Sequence, residues 1–190
     1  MVLPSIDMKP FIQITRHLYE EPYTLNLVII ASNGTAMGSL EFYLNPASLN
    51  EIGNALTNFP KFERANYLFE RGSERPEDIF AWYLRLRVFA KNSLEKCGLH
   101  LRFNNNAKHN TYRGKPGEIT SFSTPQLTDF TIDTSSNSVR RLAELLIEFS
   151  KLNHQRLYWT LESGHLDNEV LDPPLHHGHV LTEAFDALPK

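Results

Sequence analysis

Two stretches of this chain, about ninety residues apart, place their apolar residues at the same intervals. Leu49, Ile52, Gly53, Leu56 and Phe59 fall at i, i+3, i+4, i+7 and i+10; Val139, Leu142, Ala143, Leu146 and Phe149 repeat those offsets. On a helix such positions form one apolar stripe, which has to be buried against another element. Each stripe follows a strand-like phrase: Glu41-Phe42-Tyr43-Leu44-Asn45 before the first, Asp129-Phe130-Thr131-Ile132-Asp133 before the second. A strand running into an amphipathic helix, used twice, predicts internal duplication of a three-strand-plus-helix unit.

Alternating apolar and polar residues supply the strands. Residues 11–18, 24–31 and 38–44 precede the first helix, with a turn at Asn33-Gly34, where both residues tolerate positive φ. Asn45-Pro46 provides a helix cap and a first-turn proline, and Pro60 stops the helix. In the second half, residues 80–90 and 97–103 alternate cleanly and lie close enough to form a hairpin. A polar loop follows at 104–117, then a strand interrupted by Pro125, a strand over 127–132 and a helix over 137–151. Further strands are expected at 65–70 and 156–161. The fold class is therefore α+β: an antiparallel sheet with two amphipathic helices on one face. Residues 1–162 are read as a single domain of two related halves, about 11–60 and 80–151. Residues 163–190 are read as a C-terminal tail containing proline and histidine, with Val180, Leu181, Ala184, Phe185 and Leu188 forming one short helix.

With 190 residues, 41% of them apolar, the chain can bury a real core. Cys97 is the only cysteine, so an internal disulfide and a thiolate metal site are both excluded, and its alternating context reads as a buried, inert thiol. No stretch approaches the length of a membrane span, and residues 1–9 lack a cationic start followed by an apolar run. The chain is expected to be cytoplasmic.

Net charge is −3, unevenly distributed. Residues 80–117 hold eight basic side chains (Arg85, Arg87, Lys91, Lys96, Arg102, Lys108, Arg113 and Lys115) against Glu95 alone, a local +7. The remainder carries 11 basic and 21 acidic residues, or −10. Alternation puts Tyr83, Arg85, Arg87, His100 and Arg102 on one face of the expected hairpin, with cross-strand neighbours roughly 5 Å apart. Guanidiniums that close repel unless acids from elsewhere, or a partner, neutralise them. Internal pairing would leave a solvated face; pairing with a partner would make it an anion-binding face. The negative overall charge and the lack of an RNA-binding signature argue against nucleic acid.

A histidine-rich cluster, His165, Asp167, Asp172, His176, His177 and His179, has good ligand chemistry for zinc or nickel, with His165, His176 and His179 as the candidate metal set. It falls in the expected tail rather than on rigid elements, so a solvated tail is the preferred reading and no cofactor is expected. Glycine-rich nucleotide loops, the nucleophile elbow of serine hydrolases and the zinc-protease helix motif are missing. A metal-independent nuclease or hydrolase could still be assembled from His17, His100 or His109 with Arg85 or Arg102, given two groups flanking a phosphate.

Residues 80–106, with "WYLRLRVFA" followed by "CGLHLRFNNN", resemble phrases in uncharacterised conserved bacterial proteins of the small α+β, immunity-protein-like kind. The resemblance covers about a seventh of the chain. It implies a binder directed at a toxin and transfers no catalytic residue. The sequence thus predicts a non-enzymatic protein–protein interaction protein, with Tyr83, Arg85, Arg87, His100 and Arg102 meeting an acidic partner. The alternatives are the hydrolase or nuclease at the same face and a homo-oligomer that sets the acidic surface of one copy against the basic face of another.

Overall fold

The structure is a computed structural model that describes residues 9–78, 80–106 and 126–169. In chain order its elements are β1 (Phe11–Glu20), β2 (Thr24–Ser32), β3 (Met37–Leu44), α1 (Pro46–Leu56), β4 (Asn66–Gly72), β5 (Trp82–Ala90), β6 (Lys96–Asn105), β7 (Gln126–Ser135), α2 (Ser136–Phe149), β8 (Arg156–Thr160) and β9 (Gly164–Asp167). Local chemistry sets the boundaries. Asn33 Oδ1 accepts from the amides of Thr35 (3.0 Å) and Ala36 (2.8 Å), and Gly34 takes φ 96°, which closes the β2–β3 turn. The side chain of Asn45 caps α1 by accepting from the Ser48 amide at 2.8 Å. Ser135 does the same for α2 through Ser138 at 3.2 Å.

The α+β class holds, with every strand pair antiparallel. The strands are divided between two sheets, however, rather than gathered in the single sheet the sequence predicts. One sheet has the order β3-β2-β1-β8-β9 and the other β4-β5-β6-β7. Each three-strand meander is completed by the strand that follows the other meander's helix: β8 pairs with β1, and β4 with β5. The orders β3-β2-β1-β8 and β7-β6-β5-β4 therefore correspond element by element. This equivalence is one of strand order and connection.

Both helical stripes are buried, and the two helices pack on each other. A cavity of about 40 Å³ marks where the layers meet. Its lining draws on Ile14 of β1, Phe42 of β3, Ile52 of α1, Phe69 of β4, Leu101 of β6 and Leu146 of α2. The two sheets and two helices thus share one core. Trp159 of β8 is fully buried and donates from Nε1 to the Ser138 carbonyl at 2.9 Å, fixing β8 against the first turn of α2. Arg16 of β1 is buried as well. It donates to the carbonyls of Leu152 (3.0 Å) and His154 (3.2 Å) beyond α2, and its Nη1 pairs with Glu21 at 2.6 Å. Cys97 is buried in the shared core, and burial pushes its thiol pKa up. Among the described residues, no helix is long and apolar enough to cross a membrane.

Residues 164–167, assigned by sequence to the start of the tail, instead form the edge strand β9 against β8. Arg156 Nη2 holds Asp167 at 2.7 Å across that pair. The expected strand at Pro125 and the helix at 180–188 lie outside the described residues.

Gly53 sets the approach of the two helices. A Cβ built there would lie 2.6 Å from Ile147 Cγ1 and 2.8 Å from the carbonyl oxygen of Ala143. The side chain could yield, but the backbone oxygen cannot without moving α2. Gly53→Ala should therefore destabilise the protein by about 1–3 kcal/mol in urea unfolding, despite alanine's better helix propensity. An unchanged or raised midpoint would show that the helices are free to part.

Candidate interaction surface

The inner face of the four-stranded sheet carries Leu84, Val88, Leu99, Leu101, Phe103, Phe130 and Ile132, all buried. The alternate residues face away from that core, and the register arranges them in rows. Arg85 of β5 lies directly opposite Arg102 of β6, with Glu70 of β4 beside the first and Asp129 of β7 beside the second. The row thus reads acid, base, base, acid across four strands. Two residues along each strand, the next row on this face is Leu68, Arg87, His100 and Thr131. The structure therefore brings together all five residues grouped by the sequence, with Tyr83 in the row that also holds Asn104.

Two directly opposed arginines would repel, and the flanking acids offset this. Arg85 donates to Glu70 (Nε to Oε1, 2.8 Å), and the Tyr83 hydroxyl donates to the same oxygen. Arg102 donates from Nε to both oxygens of Glu74 at 3.1 Å and from Nη1 to Asp129. His100 Nε2 lies 2.7 Å from the other Asp129 oxygen, and Asn104 Nδ2 donates to Glu74 at 3.0 Å. Lys91 pairs with Asp133 of β7. The acids come from β4, the loop after it and β7, on either side of the basic hairpin.

Arg87 is bound differently. It is exposed, donates to Asn66 Oδ1 at 2.7 Å, and has its guanidinium 5.2 Å from the centre of the Phe89 ring. Among the described residues it has no carboxylate partner. Leu68, directly opposite, is 48% exposed, so an apolar contact adjoins the cation.

The networks shift their members in opposite directions. Burial, then the hydrogen bond to Glu70, pushes the Tyr83 phenol up to about 12. The hydrogen bonds from Tyr83 and Arg85 hold Glu70 below its ordinary value. Burial alone would raise Asp129, but the hydrogen bonds and charges of His100 and Arg102 together outweigh it, leaving that carboxyl lowered. Their bonds to carboxylates raise Arg85 and Arg102, so these side chains remain cationic.

The other sequence candidates are dispersed. His17 is on β1, in the five-stranded sheet, opposite Asn26, and is not grouped with Arg85 or Arg102. His109, His176, His177, His179 and Asp172 lie outside the described residues. His165 is exposed on β9, with its Nε2 3.3 Å from Asp167. Among the described residues, no group of three or more His, Cys, Asp or Glu side chains could hold a metal ion. Glu70, Glu74 and Asp129 were missed by sequence reasoning. Asp129 alternates with buried Phe130 and Ile132, which signals an outward position, but only strand order shows which cation it meets. No protein-family model, curated protein or solved structure matches the chain.

Both lowered carboxyls release their proton more readily in the folded protein than in the unfolded one. Their contribution to stability is complete above the ordinary values, 4.5 for Glu70 and 3.8 for Asp129, and is lost as pH falls through the lower folded values. Because both pairs are partly exposed, each contributes at most about 1 kcal/mol, or a few degrees in Tm. Glu70→Gln and Asp129→Asn should each lower Tm at neutral pH and make its fall below about pH 4 shallower. A fall as steep as that of the parent protein would show that these pairs add nothing.

Proposed function

We propose that the protein is a non-enzymatic binding protein that docks an acidic protein partner on the outer face of its four-stranded sheet. Arg87 carries this reading. It is held by Asn66 and Phe89, exposed, and without a carboxylate partner among the described residues. Arginine held in this way loses little freedom on binding, and with Leu68 alongside it has the make-up of an interface hot spot. Arg85 and Arg102, each already bound to carboxylates, stand together in the adjoining row. Among the described residues, Arg87 and Leu68 are both exposed on this face, and complementary charge would orient a partner's approach. The resemblance of residues 80–106 to immunity-like proteins makes a toxin the first partner to seek.

A photo-crosslinking amino acid at position 68 tests this in the native host. The crosslinked partner is then purified, and its affinity is measured by titration. Arg87→Glu should weaken binding at least about tenfold, roughly 1.4 kcal/mol, and reduce its salt dependence, with Tm unchanged within a few degrees. A crosslinker at exposed Asn54 on α1 should capture nothing in common. Equal capture at both positions, or wild-type affinity in Arg87→Glu, would remove the sheet face from consideration.

A further inference from the structure

A second surface lies where three distant chain segments meet. The β1–β2 turn, the end of β3 and the facing ends of β4 and β5 enclose an open groove of about 340 Å³, lined by Tyr23, Tyr43, Arg71, Gly72, Phe80 and Trp82 among others. Its aromatic residues are exposed to an unusual degree: Tyr23 is 82% accessible, Phe80 49% and Tyr43 37%. Tyr19, 50% accessible, packs on Tyr43 with ring centres 5.3 Å apart, extending the patch beyond the rim. Clustered exposure of large rings is costly in water and marks a surface that meets something else.

The groove is built into the fold. Trp82 is fixed by an edge contact with buried Phe42, ring centres 5.9 Å apart. Gly72 takes φ +77°, and a Cβ there would sit 2.0 Å from the Trp82 carbonyl oxygen, so β4 closes onto β5 at this point only with glycine. Burial, then the nearby Glu41 charge, raises the Tyr43 phenol, which keeps it a hydrogen-bond donor.

Charge indicates what the groove would accept. Among the described residues Arg71 is the only charged side chain in the lining; it is exposed and has no carboxylate partner there. Neighbouring Glu70 is committed to Tyr83 and Arg85, and Glu41 accepts from Asn26 at 2.9 Å. A ring-lined trough with one unneutralised guanidinium matches an apolar side chain flanked by a carboxylate. Being open along one side, the groove would leave much of a small molecule in water, whereas a chain segment can lay one anchor in it and continue past. We infer that this groove is a second docking site, for an acidic segment of a partner protein that presents an aromatic or leucine anchor. It stands on residues separate from the Arg87 surface.

Trp82 provides the test. The other tryptophan, Trp159, is fully buried, so groove occupancy should be read through Trp82 emission. The full chain is titrated with the blocked peptide Glu-Leu-Phe-Glu and with its neutral counterpart Gln-Leu-Phe-Gln. The acidic peptide should give a saturable blue shift and bind at least about fivefold tighter than the neutral one. Arg71→Gln, a surface change whose fold is checked by circular dichroism, should erase that preference; Tyr23→Ala should weaken both peptides. Arg87→Glu should bind as the parent does, so failure here and failure of the sheet-face proposal are separately visible. No saturable response up to millimolar peptide, or an acidic preference that survives Arg71→Gln, would overturn the inference. So would competition by benzoate as strong as by the peptide, which would make the groove a small-anion pocket.

Discussion

Each helix passes its following strand to the sheet begun by the other half, and the rest of the structure depends on that exchange. Without β8, β1 would be an open edge; without β4, so would β5. Unpaired strand edges leave backbone donors and acceptors unmatched and invite association. The exchange also forces the two inner faces to share a core with the helices packed against each other, an approach that Gly53 permits. Neither half has been left with a complete sheet of its own. The halves are therefore expected to fold as one cooperative unit, with contacts distant in sequence formed late.

Arg16 strengthens the same connection from the side. Its guanidinium reaches the carbonyls of Leu152 and His154, where the chain turns from α2 toward β8, while Glu21 balances the charge. A buried ion pair of this kind contributes little net energy but makes loss of either partner expensive. It fixes where β8 begins, and so the register in which the second half completes the first sheet.

On the four-stranded sheet, strand order converts a repulsive composition into a stable surface. Arg85 and Arg102 face each other, and the outer strands bring Glu70 and Asp129 to either side. The result is a surface whose cations are largely neutralised and held in place. Arg87 stands out because its partners are an amide and a ring. The aromatic groove differs in kind, with its rings exposed and a single cation among them.

Much of this was legible in the residues themselves. Helical spacing identified both stripes, and every apolar position of each is buried. Period-two alternation correctly put Arg85, Arg87, His100 and Arg102 on one face of a hairpin, because side-chain direction along a strand is a local property. Asn45 and Ser135 cap their helices from within a few residues, and the first of these was readable in advance. What could not be read was adjacency. Alternation says which residues share a face, but not that Glu70 and Asp129 flank the arginines, nor that Arg16 reaches past α2. Likewise Tyr23, Arg71 and Phe80 form one groove only after three segments converge. The sequence by itself determined both helices, eight of the nine strands and their apolar faces, through periodicities that act within a few residues; β9 was read as tail. The tertiary structure decided the division into two sheets, the neutralisation of the basic face and the groove, because each depends on pairing between strands far apart in the chain.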